Sequence, residues 1–493
     1  MSEELKATRV VVDSRRCGEG KTRDDTSTVV RDGRRVLSTW ANIKNRWNID
    51  DKCLVVLPSL ALCDYYEQHL NEYISNNYYK QNHPQYEVQL RKCTSNNKDI
   101  DNVQKALHDA LNDNCPIIII TQQTWTMSDI PLGQRIKYHL IIDEAIMPYK
   151  EIAVYHERDC AVDFNWKENS DLIECPESAV EWKELRIHNV KGNFITDTSE
   201  HTRTLLNSNW RNRVHYLDYE KFVGILPKNE RISIIQELRP QLFDHYITIW
   251  VACAAFEYTF MRYWMDLHEI PWKIHHKLTF KPHKVPLEIR GPDDKEFTWS
   301  SYKQKNETIL IDQYTEQTKP IAGDSGVLVL RNNNQKRQIF NEEVLLPHNS
   351  AGSNDYTGYE YISLESALNP TPAMSRFLYA AYGIGKERDD RVHMAQTVYT
   401  FYQTVMRSCL RTGQKATVFT LDNRVIMGLA EFFDNLEFEE IRLIRPETQS
   451  VGRPISDIGR ALTGPERTFL SRKRRNEKYW GWSDEQILDL RKK

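Results

Sequence analysis

The sequence predicts an α/β protein built from two parallel-sheet units in series. Short, unbroken apolar runs recur at Val10–Val12, Cys53–Leu57, Ile117–Ile120 and Leu140–Ile142, and again at Val327–Leu330, with a further strand-like run at Ala416–Leu421 broken only by threonines. Helix-length segments separate these runs, and most runs end in a polar turn. Strands covered on both faces read as continuous apolar runs rather than as alternation, and parallel neighbours need long crossovers. The 493 residues leave room for about three domains. With 40% hydrophobic residues there is material for sizeable cores, which excludes wholesale disorder.

The first element is a strand over Val10–Val12 followed by Arg16-Cys17-Gly18-Glu19-Gly20-Lys21-Thr22. Strand, glycine-rich turn, Lys-Thr and helix start is the layout of a phosphate-binding loop. Gly18, Glu19 and Gly20 let backbone N–H groups crowd around a polyphosphate. Lys21 reaches the outer phosphates and Thr22 ligates Mg²⁺. Arg15 stands where this pattern has its first small residue. Lys52–Leu57 is the next strand, turning at Pro58-Ser59 into a helix that continues through Leu70. Ile117–Thr121 and His139–Ile142 follow, the latter ending in Asp143-Glu144. An Asp at a strand end can hold Mg²⁺ through water, and the adjacent Glu can polarise the attacking water. Together with the glycine-rich loop, this pair predicts an ATP or GTP site at the carboxyl ends of the strands, where Pro58, Thr121 and Thr124 also fall.

Residues 151–245 read as an insertion, largely helical, with helices around Ser178–Arg186 and Arg231–Leu238. The first sheet resumes over 246–267. The span 268–320 reads as a connector with a basic face formed by Lys273, Lys277, Lys281, Lys284 and Arg290. His268, His275, His276 and His283 lack a completing carboxylate or cysteine at ligand spacing, so no metal site is expected there. The second sheet occupies 321–445. Asn332–Asn334 follow its first strand, and a long helix is expected over about Arg391–Arg411. Gln403, Arg407 and Arg411 then lie four apart on one helical face, able to solvate a triphosphate from the side opposite the glycine-rich loop. The tail 446–493 carries Arg472-Lys473-Arg474-Arg475 and Lys478 beside Tyr479, Trp480 and Trp482, which suits a small basic helical segment on a nucleic-acid backbone.

Composition constrains the partners. Net charge is −3, so any nucleic-acid surface must be local. No apolar run approaches the roughly 20 residues that span a membrane. Nine scattered cysteines without a Cys-x-x-Cys pair point to a reducing compartment, hence the cytoplasm.

The order of these motifs resembles superfamily 2 helicases, in particular their phage- and virus-type members. Gly18–Thr22 resembles motif I, Leu57–Leu62 motif Ia, and Asp143-Glu144-Ala145-Ile146 motif II in its Asp-Glu-Ala-x form. Ala252–Glu257 holds the place of motif III, Val329–Asn334 that of motif IV, Gly352–Asp355 that of motif V and Gln403–Arg411 that of motif VI. The motif III position lacks the usual hydroxyl residues, and Arg411 follows Arg407 by four positions where three is usual. The resemblance implies two RecA-like domains with ATP and Mg²⁺ in the cleft between them. It implies Arg407 and Arg411 as in-chain arginine fingers, with Gln403 beside them. Pro58, Ser59, Thr121, Thr124, Asn332, Asn333, Ser350, Gly352 and Asn354 are then expected to grip a single-stranded or forked nucleic acid, DNA favoured over RNA. The implied setting is phage or viral DNA replication or recombination, with replication proteins as partners, in the host cytoplasm. Two alternatives remain: an ATP-gated binding or remodelling protein that does not unwind, and a DNA-packaging ATPase.

Overall fold

The computed structural model describes residues 10–15, 30–31, 34–35, 52–75, 89–95, 102–155, 168, 170–174, 181–188, 205–224, 231–275, 279–294, 297–300, 308–332, 337–346, 356–383 and 391–444. Strands β1 (Val10–Asp13), β4 (Lys52–Leu57), β5 (Leu90–Cys93), β6 (Ile117–Thr121) and β7 (Tyr138–Asp143) build most of the first sheet, and β2 (Val30–Arg31) and β3 (Arg34–Arg35) pair as a separate ribbon. An inserted group follows: β8 (Tyr149–Tyr155), β9 (Ser170–Ile173), β10 (Trp182–Ile187), β11 (Trp210–His215) and β12 (Arg231–Leu238). The chain then returns through β13 (Ile249–Ala252) and β14 (Trp272–Ile274), giving an all-parallel sheet in the order β14-β1-β13-β7-β4-β6-β5.

Each face of that sheet buries alternate residues. Val10, Val12, Leu54, Val56, Ile118, Ile120, Leu140, Ile142 and Val251 lie on one side; Cys53, Val55, Leu57, Ile117, Ile119, Ile141 and Trp250 lie on the other, under the helix Leu60–Ser75. Two-sided burial is why these strands carry no polar alternation.

The second sheet takes β15 (Leu287–Gly291), β16 (Val327–Leu330), β17 (Glu343–Leu345), β18 (Tyr361–Leu364), β19 (Ala416–Thr420) and β20 (Leu436–Glu440), again all parallel, in the order β17-β16-β18-β19-β15-β20. The mixed α/β class with two parallel sheets is therefore as expected. The span 268–320 is not a plain connector, because β14 edges the first sheet and β15 lies inside the second. Its basic face is also incomplete: Arg290 is paired with Glu288 and Glu439, at 2.5 and 2.7 Å. Lys273, Lys281 and Lys284 are exposed, and Lys277 lies outside the described residues.

The insertion departs from expectation. It is an antiparallel sheet, β8-β12-β11-β10-β9, and both segments expected to be helical contain strands, β10 and β12. Apolar Ile152, Val154, Leu185, Val214, Ile232 and Ile234 form its core with one helix, Tyr216–Gly224. Its other rings receive the helix Pro372–Tyr382, which follows β18. Phe377 meets Tyr149 and Trp182 edge-on at centroid distances of 5.8 and 5.2 Å, and Arg376 pairs with Asp218 at 2.8 Å. The inserted sheet is thus a strut between the two parallel units. Among the described residues, no helix is long and apolar enough to cross a membrane.

Candidate active site

Parallel registry aligns three strand ends across the first sheet: Asp13 of β1 stands beside Ala252 of β13, which stands beside Asp143 of β7. Two strand spacings separate the outer pair, roughly 10 Å. The chain that leaves β1 therefore starts within reach of the acidic pair. Its first residues are fixed by the turn after β13. The Cys253 N–H donates to the Asp13 carbonyl at 3.0 Å and the Ala255 N–H to the Ser14 carbonyl at 3.1 Å. Ser14 Oγ accepts from the Phe256 N–H at 3.0 Å and donates to Glu257 at 2.5 Å. Arg15 turns back onto Asp13 and is buried.

Asp143 is buried, and the hydroxyl of Tyr66, on the helix Leu60–Ser75, donates to its Oδ2 at 2.9 Å. Glu144 has φ +68°, a left-handed conformation that costs a non-glycine residue about 1–3 kcal/mol. Two contacts hold it there. Its N–H donates to the Ala252 carbonyl at 2.8 Å, and the Gln122 amide donates to the carbonyls of Asp143 and Glu144 at 3.1 and 3.0 Å. The acidic turn is thereby rigid in its backbone while the half-buried Glu144 carboxylate projects beyond it.

The second unit reaches this turn through the helix Tyr399–Val405. Val398, Phe401, Tyr402 and Val405 pack that segment into the core of the second sheet, together with Ala254 and Ala255 from the first. On its open side, the Tyr399 hydroxyl lies 3.4 Å from Glu144 Oε2 and 3.0 Å from Cys253 Sγ, and accepts from Gln403 Nε2 at 2.8 Å. Glu144 of β7's turn, Cys253 of β13's turn and Gln403 of the second unit thus converge on one hydroxyl.

Gln403, Arg407 and Arg411 do not share a helix face. The helix ends at Val405. Ser408 Oγ donates to the Val405 carbonyl at 2.6 Å and accepts from the Leu410 N–H, opening a separate 3₁₀ turn over Cys409–Thr412. Arg407 is buried, whereas Arg411 is exposed. The expected nucleic-acid residues are spread along the strand ends. The hydroxyls of Ser59 and Thr121 cap helices, accepting from the N–H groups of Leu62 and Thr124 at 3.3 and 3.0 Å, and the Thr124 hydroxyl lies 2.9 Å from that of Thr121. Pro58 precedes that first cap, half-buried. Asn332 is half-buried beyond β16. Arg331 beside it is a structural clamp, bidentate to Glu343 and bonded to Glu365 at 2.7 Å. Gly18, Glu19, Gly20, Lys21, Thr22, Asn333, Ser350, Gly352, Asn354 and the basic tail lie outside the described residues.

Among the described connector histidines, His268 meets Glu237 at 2.9 Å, His283 meets the Tyr402 hydroxyl at 3.0 Å, and the His275 ring lies against that of Trp250. Among the described residues no cluster of His, Cys, Asp or Glu is arranged to hold a metal by itself. Asp143 at a strand end offers the hard oxygen that Mg²⁺ takes when phosphates and water complete its shell.

No protein-family model and no curated protein matches the chain. Among solved structures it is similar to an XPD helicase, at 10% identity and TM-score 0.46 over 88% of this chain and 96% of that one. It is also similar to Xpd4 of S. tokodaii, at 11% identity and TM-score 0.41 over 88% and 96%. A third is the Mycobacterium smegmatis helicase Lhr bound to ssDNA and AMP-PNP, at 10% identity and TM-score 0.33 over 86% of this chain and 45% of that one. With TM-scores below one half, none of these likenesses bears on the roles of this chain's residues.

Proposed function

We propose that the chain is an ATP-dependent nucleic-acid helicase or translocase of superfamily 2 type. The supporting observation is the convergence at Glu144: a rigid acidic turn level with the end of β1, met from the second sheet by Tyr399, to whose hydroxyl Gln403 donates. In this reading Lys21 and the loop glycines hold the phosphates, Thr22 and Asp143 hold Mg²⁺, and Glu144 takes a proton from the attacking water. Bound Mg²⁺ would neutralise charge on the phosphate oxygens. Arg407 supplies positive charge from the second unit. Two sheets with site groups facing one another form a hinged clamp, which opens and closes with the nucleotide cycle. In this reading Pro58, Ser59, Asn332, Gly352 and Asn354 grip the strand as it is stepped. Resemblance to phage- and virus-type members favours DNA, in replication or recombination.

The test is ATPase activity of the full chain with and without single-stranded DNA or RNA, beside strand displacement on a forked duplex. Lys21→Ala and Glu144→Gln should both abolish turnover, with Glu144→Gln retaining nucleotide. Near-normal hydrolysis in either variant removes the site assignment. Nucleic-acid-stimulated ATPase without displacement leaves a translocase or remodeller rather than a helicase.

A further inference from the structure

We infer that Tyr399 is a positioning residue for Glu144, a hydroxyl carried by the second unit that aims the carboxylate of the first. The inference rests on the nucleotide reading above and names a group that no motif supplies.

The backbone of Glu144 is fixed by the Ala252 carbonyl and the Gln122 amide, but these contacts leave the side-chain torsions unset. The Tyr399 hydroxyl is 3.4 Å from Glu144 Oε2. An ionised carboxylate only accepts, so the phenolic proton points to Glu144. Two further contacts fit that assignment: Gln403 Nε2 donates into the same oxygen at 2.8 Å, and Cys253 Sγ lies 3.0 Å from it. Donors feeding one hydroxyl polarise it and strengthen the bond it gives away.

Local geometry places Tyr399 deliberately. The preceding segment, Met394–Val398, is a π-helical turn, and the Tyr399 N–H closes it by bonding to the Met394 carbonyl five residues back. π turns are rare and concentrate at functional sites. One extra residue in the turn rotates everything after it, so Tyr399 packs against both cores while Phe401 and Tyr402 stay in the second. Because Tyr399 and Glu144 sit on opposite units, their contact exists only while the units are together. At 3.4 Å the bond is long, and a small closing movement shortens it. Opening the cleft breaks it and frees the carboxylate from its aim.

The experiment compares Tyr399→Phe with the full-length wild type in steady-state ATPase assays at varied ATP concentration, with Glu144→Gln in parallel. Removing only the hydroxyl should lower kcat roughly tenfold or more, within the range of general-base contributions, while KM for ATP changes by less than about threefold. Unchanged turnover, or a fall in kcat accompanied by a comparable rise in KM for ATP, overturns the inference. If Glu144→Gln is inactive while Tyr399→Phe behaves as wild type, only this inference fails. If Glu144→Gln still hydrolyses ATP, the nucleotide reading itself fails.

Discussion

Asp13 and Arg15 form a buried two-pronged ion pair at the carboxyl end of β1: Arg15 Nε donates to Oδ1 at 2.9 Å and Nη2 to Oδ2 at 2.7 Å. The arginine that displaces the expected small residue is therefore bound to a carboxylate on the strand itself. Breaking one side of a buried pair strands the other charge, at about 3–5 kcal/mol. Arg15→Gly, which restores the usual pattern on paper, should lower unfolding stability by that order in urea titrations at neutral pH. Asp13→Ala/Arg15→Gly should be less destabilised than Arg15→Gly alone. A single variant as stable as wild type would show that the pair contributes nothing.

Arg407 and Arg411 should separate sharply. Arg407 is buried at the helix end and Arg411 is exposed on a different turn. Arginine fingers contribute about 10³–10⁵ in rate. Arg407→Ala should reach the lower part of that range with nucleotide affinity nearly kept, while Arg411→Ala should stay within about tenfold of wild type. Melting curves separate chemistry from folding at the buried position. Equal losses in the two variants would return both to one functional role.

Acid should weaken the inserted sheet through Glu237. Burial alone would raise its pKa. The hydrogen bond from His268 and the adjacent Arg213 guanidinium outweigh burial and hold it below the usual carboxylate value. A depressed folded pKa contributes stability above the unfolded value, about 4.3, which is lost as pH falls through the folded value. Glu237→Gln should therefore be markedly less stable than wild type at pH 7. The gap should persist at pH 5 and narrow below pH 4. A gap independent of pH would mean that packing, not charge, is lost.

The legible parts of this chain are those buried on both faces. Ile117–Ile120 and Val327–Leu330 need no partner's identity to be read as strands. β12 is different. Its inner positions include Gln236, which donates to Asn212 at 2.7 Å, and Glu237, paired with Arg213. Both are fully buried, and their partners lie on β11, 24 residues away. Buried polar pairs break the apolar pattern on which a strand reading depends, and Arg231–Leu238 then passes for an amphipathic helix. The site shows the same division. Asp143-Glu144 is legible because it ends an apolar strand. Tyr66, Gln122 and Tyr399 are ordinary residue types whose importance comes from contacts 77, 22 and 255 residues away. The break after Val405 turns on the Ser408 hydroxyl capturing a carbonyl, which a four-residue spacing of Gln403, Arg407 and Arg411 conceals.

Gly428 should matter more to turnover than its distance from the acidic turn suggests. It lies in the helix Asn423–Leu429, pressed against the π turn. A Cβ there would sit 2.5 and 2.7 Å from the two Val398 methyl carbons and 3.1 Å from the Met394 sulfur. Val398 is fully buried and β-branched, so its methyls cannot swing aside without leaving their rotamer. The clash must move backbone, and the backbone that moves carries Tyr399 as its next residue. Gly428→Ala should cost about 1–3 kcal/mol of stability, the usual range for overpacking. It should also lower ATP turnover at a temperature where the variant is fully folded. Shrinking the opposing side chain removes the obstruction, so Gly428→Ala/Val398→Ala should recover turnover relative to Gly428→Ala even though Val398→Ala alone leaves a cavity. Loss of stability without loss of turnover in the single variant would uncouple the π turn from Glu144. A double variant no more active than the single one would place the effect of Gly428 elsewhere in the second core.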